Sequence, residues 1–316
     1  MSNCINLLFL GGAKRVSMAR RFKQAAHTLG YDCCIYSYEI SATEAIACEG
    51  EVIIGKLWRD PQVYDHLRLI CREKQIHAII PFVDGAVPVA AELHDVAFVP
   101  TGRSQDAERM FDKVESARKF EQLGLPIPRT YHEGQPCMCL IAKPRRGSAS
   151  KGIVEISSLE ALNKVLSHAD DYLIQERIDN RVEYTVDCYV DTRGSRILTT
   201  CPRRRIEVIG GEVSRTETVD DPEIVALARR TLEATGLVGA VTVQMLRDLD
   251  TDRLMLMEIN PRLGGGAVCS VAAGADIPSL ILREVLDLPP VEPRWQPGVQ
   301  IARYLDEVVF YPKEND

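Results

Sequence analysis

The sequence predicts an α/β unit followed by an α+β unit. Strands and helices alternate with short connections over residues 1–100, which implies a parallel sheet. From about residue 139 short strands follow one another with few helices, which implies antiparallel sheets. A length of 316 residues suits two or three subdomains sharing a sizeable core.

INLLFLGG (5–12) is an apolar strand ending in glycines, and a helical pattern runs from it through Leu29 to a stop at Gly30. YDCCIYSYE (31–39) is the next strand. A helix around 61–74, the strand IHAIIP (76–81), a polar VDG turn, a helix over 85–94 and VAFVP (96–100) complete the unit. Such an open, Rossmann-like sheet binds ligands at the C-terminal ends of its strands, where Gly11, Gly12, Lys14, Arg15 and Asp84 stand. Gly12, Arg15 and Asp84 are therefore candidate substrate contacts. The two glycines do not spell GxGxxG, so a tight turn into a helix competes evenly with an anion-binding role.

SQDAERMFDKVESARKFEQLG (104–124) reads as one helix, ended by Gly124 and by the two prolines of LPIP. The strands CLIAKP (139–144), GIVEI (152–156), YLIQERI (172–178), EYTVDCYV (183–190) and RILTTCP (196–202) follow, with helices at 159–167 and 222–235. GAVTVQMLRD (239–248) and RLMLMEINP (253–261) flank a DLDTD turn and read as a hairpin.

Apolar residues make up 46% and charged residues 26%, ordinary for a soluble globular protein. A formal charge of −7 excludes nucleic-acid binding by bulk electrostatics, and the basic clusters KPRR (143–146) and PRRR (202–205) point instead to small anionic ligands. No run of about 18 apolar residues occurs, so no membrane partner is expected. The ten cysteines contain no CxxC pair, and Cys137-x-Cys139 has no partner cluster at zinc spacing. Most lie in apolar, strand-like runs as small hydrophobes, so a reduced, cytoplasmic protein is expected.

The chemistry concentrates in LMLMEINPRLGGG (254–266). Strand alternation places Leu254, Leu256, Glu258 and Asn260 on one face and Met255, Met257 and Ile259 on the other. Whether Gln244 on the preceding strand faces the same side as Glu258 depends on a one-residue slip of register. If it does, Gln244, Glu258 and Asn260 converge as three oxygen ligands suited to Mg2+, with Arg262 placed to hold a phosphate. The competing reading is a self-satisfied Glu258–Arg262 ion pair; a lone Glu in an apolar strand favours the metal.

AKPRRGSASKGI (142–153) ends a strand in a basic, small-residue loop. Backbone amides of Gly147, Ser148, Ser150 and Gly152 can fold over phosphates while Lys143 and Lys151 supply charge. The loop is not GxxxxGK[ST], which excludes a P-loop; a solvated hairpin tip is the alternative. Gln175, Glu176, Arg177 and Ile178 leave an apolar strand and are followed by Glu183, a hinge able to meet an adenine edge and ribose hydroxyls, or simply a strand end. Lys113 by itself reads as a solvated helical lysine. Arg203, Arg204 and Arg205 suit an anionic substrate, and equally suit a charged strand edge.

In sequence order, FDKVESARKFEQLGLPIP, IAKPRRGSASKGI, LIQERIDNRVEYTVD, GAVTVQMLRD and MEINPRLGGG resemble the ATP-grasp superfamily over essentially the whole chain. The resemblance is strongest to a single synthetase half of the carbamoyl-phosphate synthase large subunit. It implies a pre-ATP-grasp domain at 1–100, a lid subdomain at 101–173 and a C-terminal subdomain with the metal and phosphate site at 174–316. It implies ATP phosphate contacts from Lys113 and Lys143, and a lid loop from Gly147 to Gly152. Nucleotide contacts would come from Gln175 to Ile178 and from Glu183. Metal binding would fall to Gln244, Glu258 and Asn260, catalytic roles to Arg262, Asn260 and Lys143, and substrate contacts to Gly264 and Gly265. Many ATP-grasp enzymes have an acid where Gln244 stands; the carbamoyl-phosphate synthases share the glutamine.

The expected activity is an ATP- and Mg2+-dependent ligation (Mn2+ being a substitute) of a carboxylate to an amine or ammonia through an acyl phosphate. The expected partners are small carboxylate and amine or amino-acid substrates, with a homodimer left open. The alternatives are a carbamoyl-phosphate synthase-like enzyme or part of a split synthase, since there is room for about one half, and a non-catalytic nucleotide-binding regulator. A dehydrogenase, suggested by the first βα turn, is a further alternative.

Overall fold

The computed structural model describes residues 4–132, 139–147 and 151–311. Its first sheet is built from β1 (Cys4–Leu10), β2 (Asp32–Glu39), β3 (Glu51–Ile54) and β4 (Ala78–Pro81), ordered β3-β2-β1-β4 and parallel throughout. β1 reads as an unbroken apolar run because both its faces are covered. Ile5, Leu7 and Phe9 pack with Phe22 of α1 (Val16–Thr28), while Leu8 and Leu10 pack with Val63 and Leu67 of α2 (Val63–Glu73). Phe9 meets Phe22 and Phe82 edge-on at centroid distances of 5.6 and 4.7 Å. α3 (Ala86–Ala91) follows β4.

The helix expected over 104–124 is two helices, α4 (Ser104–Phe111) and α5 (Lys113–Gln122). Asp112 breaks it: its backbone is extended, and its carboxylate accepts from the Glu115 N–H at 3.1 Å and from Arg145 Nε at 2.7 Å. An Asp that caps the second helix cannot also continue the first. Lys113 thereby becomes the first residue of α5.

A three-stranded antiparallel sheet comes next, ordered β6-β5-β7 from β5 (Leu140–Pro144), β6 (Val154–Ile156) and β7 (Tyr172–Glu176). α6 (Leu159–Leu166) covers it through Leu162 and Val165. β7 runs three residues past the boundary expected at 173.

The largest sheet has the order β12-β11-β8-β9-β10-β13 and is antiparallel. Its strands are β8 (Arg181–Val190), β9 (Ile197–Ile209), β10 (Glu212–Thr218), β11 (Gly239–Asp248), β12 (Leu254–Asn260) and β13 (Gln300–Ala302). α7 (Pro222–Thr235), capped by the Asp221 carboxylate and stopped by left-handed Gly236, covers one face together with α5. Phe120, Leu227, Ala228 and Leu232 meet Val186, Val241, Val243 and Leu256 there. After α8 (Val268–Ala272), α9 (Ile277–Val285) returns to the parallel sheet and places Ile277, Leu280 and Ile281 in the core of β1 and α1. Among the described residues no single helix is long and apolar enough to cross a membrane.

β9 runs to Ile209, beyond the strand expected to end at 202, and turns directly into β10 at Gly210 and Gly211, both with positive φ. β10 is absent from the sequence-based expectation, although a Gly-Gly pair between two alternating runs was its visible signal.

Candidate active site

Leu256 pairs with Met245 and Glu258 with Gln244, so β12 carries one extra residue, Met257, in a β-bulge. Below the bulge Leu254 and Leu256 face the core beside α7; beyond it Ile259 takes that face. Met257, Glu258 and Asn260 line the opposite, open face. The expectation that Leu254, Leu256, Glu258 and Asn260 share one side is therefore corrected. Period-two counting cannot register an inserted residue, and the insertion is what lets leucines and the acid occupy different faces of one strand. Gln244 and Glu258 do face the same side.

That face closes one wall of a cleft of about 520 Å³ between the large sheet and the three-stranded sheet. Among the described residues eight basic and five acidic side chains line it, so this lining is positive inside a chain of net charge −7. Asp84, Lys113, Lys143, Gly147, Lys151, Glu176, Arg177, Ile178, Glu183, Arg205, Gln244, Glu258, Asn260 and Arg262 all line it, drawn together from across the sequence. Ser148 and Ser150 lie outside the described residues.

Lys113 Nζ donates to the Gly147 carbonyl at 2.7 Å, joining the start of α5 to the basic loop. Lys143 Nζ donates to Gln175 Oε1 at 3.0 Å, and Gln175 Nε2 donates to the Pro128 carbonyl at 3.1 Å. Gln175 is 3% exposed, so its side chain is engaged inside the protein by Lys143 and Pro128. Burial holds the Lys143 pKa below the usual lysine range; Glu258 opposes that shift, and Lys113 and Arg181 add to it.

The Glu176 carboxylate is already taken. Arg129 donates from its backbone N–H and Nε at 2.9 and 3.0 Å, and Arg253 donates from Nη1 and Nη2 at 2.9 and 3.2 Å. Burial pushes its pKa up, but these arginines outweigh it and leave the group below the usual carboxylate range. Arg177 pairs with Glu155 and Asp179 at 2.9 and 2.7 Å. Glu183 lies between Arg181 at 3.1 Å and Arg205 at 3.7 Å. Arg181, absent from the expected set, also donates to the Ile178 carbonyl at 2.6 Å.

Glu258 accepts from Asn260 Nδ2 at 3.0 Å, which leaves the Asn260 oxygen as an acceptor beside a carboxylate. Among the described residues no three His, Cys, Asp or Glu side chains cluster at metal-binding distance. One carboxylate and one amide oxygen fit Mg2+ only when phosphate oxygens complete its shell, the usual arrangement for this ion. Gln244 fits less well, because its Oε1 already accepts from Arg205 Nη1 at 2.8 Å. Arg262 pairs with Asp84, its Nε 2.6 Å from Oδ1, so the self-satisfied Glu258–Arg262 pair is not what forms.

The remaining expected substrate residues divide. Strand alternation sends Arg203 and Arg205 to one face and Arg204 to the other, where it meets Glu217 at 2.9 Å away from the cleft. Arg203 is 3% exposed and bound to buried Asp187 at 2.8 Å, with Ser270 Oγ on the same carboxylate at 2.7 Å. Arg15 pairs with Glu212 at 3.1 Å. Arg303, a residue the sequence did not single out, meets Glu212 at 2.9 Å and also donates to the Gly265 carbonyl. The glycine run exists partly for these arginines: a Cβ on Gly266 would stand 2.6 Å from Arg203 Nη1, and one on Gly265 3.1 Å from Arg15 Nη1. A Cβ on Gly264 would stand 3.1 Å from Thr242 Oγ1 and 3.5 Å from Asp187 Oδ1. Near Gly12 the buried Glu39 carboxylate accepts from Ser37 Oγ at 2.7 Å.

Residues 168–307 match a family described as ATP-grasp in the biosynthetic pathway with Ter operon. An N5-carboxyaminoimidazole ribonucleotide synthetase in its ADP complex superposes with a TM-score of 0.69 at 17% identity, covering 92% of this chain and 79% of the other. An L-amino acid ligase from Bacillus licheniformis gives 0.69 and 17%, covering 91% and 75%. The biotin carboxylase domain of Hydrogenobacter thermophilus 2-oxoglutarate carboxylase, with MgADP, ADP and bicarbonate, gives 0.70 and 17%, covering 89% and 69%. At these identities the likeness establishes the fold, a parallel sheet followed by antiparallel sheets arranged as in the ATP-grasp proteins.

Proposed function

We propose that this chain, ATP-grasp in fold over nine-tenths of its length, is an ATP-dependent ligase that activates a small carboxylate as an acyl phosphate for attack by an amine or ammonia. The observation that carries this reading is the positive cleft with Lys113 and Lys143 on one wall and the Glu258–Asn260 pair on the other. The similar structures are a synthetase, an amino-acid ligase and a carboxylase, two of them with ADP bound, and this supports the same class of reaction here.

The residues divide the work. A phosphoryl group in transfer spreads charge over its oxygens, and positioned cations lower that barrier. Lys113 and Lys143 would contact the phosphate chain of a nucleotide held between the two sheets. Gln175 keeps the Lys143 ammonium pointed at it. Glu258 and Asn260 would hold Mg2+ together with the phosphates; when bound, the ion neutralises phosphate oxygens. Arg262, tied to Asp84 from the parallel sheet, faces the same cleft and is placed to steady the transferred group. An acyl phosphate needs water kept from it; the lid expected from Gly147 to Gly152 would do this, and of it residues 148–150 lie outside the described residues while the Gly147 carbonyl accepts from Lys113.

Incubation with MgATP and pools of carboxylic acids crossed with pools of amines tests the proposal by ADP release. Release that depends on both pools supports it. ATP binding without turnover under every pairing would favour a nucleotide-binding regulator. The shared glutamine at 244 keeps a carbamoyl-phosphate synthase-like reaction, with bicarbonate and ammonia as the pair, within the same assay.

A further inference from the structure

Gln244 was expected to hold a metal, yet its amide oxygen faces a guanidinium. Arg205 reaches it from β9, with Nη1 at 2.8 Å, and stands 3.7 Å from Glu183 through Nε. The arginine is confined: its side chain is 14% exposed, and Nε is buried with no hydrogen-bond partner among the described residues. A carboxylate at 244 would draw a divalent ion, whereas a neutral amide offers only a dipole, and that dipole is already aimed at a fixed positive charge. A divalent ion brought to the same oxygen would meet the guanidinium at close range and be repelled. Directly opposite Gln244 at the bulge, Glu258, with Asn260 two residues on, has no arginine bonded to it among the described residues.

We infer that Arg205 is the cation held at Gln244 and binds the nucleotide's phosphates there, so that the site takes a single divalent ion, at Glu258 and Asn260. This rests on the nucleotide reading above and adds to it the metal count and the ligand of Arg205. The planar fork suits the task, since one edge can stay on Gln244 while the other donates to phosphate oxygens. A lysine in its place would keep the charge and lose the second donor pair.

Equilibrium dialysis against Mn2+ and saturating AMPPNP, with the excess of Mn2+ on the protein side divided by the protein concentration, gives the count. One Mn2+ per chain is expected. Two per chain would overturn the inference and leave the nucleotide reading standing, whereas binding of neither AMPPNP nor Mn2+ would overturn both. Arg205→Ala should weaken AMPPNP binding roughly tenfold or more and leave AMP binding unchanged, because only the longer phosphate chain reaches the fork. Equal weakening of both nucleotides, or of neither, would overturn the assignment. Arg205→Lys, which preserves the charge, should fall between wild type and alanine; it supplies the same comparison should the alanine variant fail to fold.

Discussion

Gln244 and Glu258 stand directly opposite each other across β11 and β12, and the extra residue Met257 is what brings the acid to the side on which the amide already lies. The strand thus keeps Leu254, Leu256 and Ile259 in the core and gives Glu258 to the cleft. Glu258→Gln should reduce ADP formation by at least about a hundredfold, the scale of losing one charge-stabilising group. Its melting temperature should be unchanged or higher, because a half-buried charge is removed without loss of volume. Coupled ADP release and a thermal melt measure both, and near wild-type turnover would remove Glu258 from the site.

Lys143→Met should trade function against stability. Burial lowers the Lys143 pKa in the folded chain, so the charged form is disfavoured there relative to the unfolded value of about 10.4. Wild type therefore carries a penalty below the folded pKa, which fades as pH rises through it. At neutral pH the methionine variant should melt higher while binding AMPPNP at least roughly tenfold more weakly. The stability advantage should narrow in alkali, as circular dichroism melts across pH will record.

Glu176 works in the opposite sense. Its folded pKa is depressed, so its contribution is present above the unfolded value of about 4.3 and is lost as pH falls through the folded one. Glu176→Gln should destabilise the chain by about 1–3 kcal/mol at pH 7, since Arg129 and Arg253 lose a charged partner. Below the folded pKa of Glu176, variant and wild type should converge. A constant difference across pH would mean that the arginines find other partners.

Arg204→Ala should change stability by no more than about 0.5 kcal/mol and leave ligase turnover as it is. Arg204 is half exposed on the far face of β9 and, among the described residues, pairs with Glu217 alone. A rise in the requirement for the carboxylate substrate would put that face of the sheet in contact with substrate after all.

Much of the fold was legible because its signals are local. The alternation of β1, α1 and β2, the helix beginning at Asp221-Pro222 and ending at Gly236, and the hairpin after Gly239 all announce themselves within a few residues. The gathering of the candidate residues was legible in part: Lys113, Lys143, Glu258, Asn260 and Arg262, singled out in the sequence, line one cleft. What stayed hidden depends on long-range pairing. Gln175 looks like a hinge residue until Lys143 and Pro128 arrive beside it from 32 and 47 residues away. Glu176 looks free until Arg253 reaches it across 77 residues. Arg203, Arg204 and Arg205 look alike in sequence, and only the strand's two faces and their neighbours separate a buried ion pair, a surface pair and a cleft residue. The single helix expected over 104–124 failed because Asp112 is recruited by Arg145, a partner no local propensity can foresee.

The central claim is that the cleft transfers a phosphoryl group from ATP to a carboxylate oxygen. It is tested most directly by supplying the carboxylate pool labelled with oxygen-18, together with MgATP and the amine pool, and analysing the released phosphate by mass spectrometry. An acyl phosphate leaves one labelled oxygen on the inorganic phosphate and yields ADP, and that is the predicted result. Release of AMP and pyrophosphate, or of ADP with unlabelled phosphate, would contradict the account.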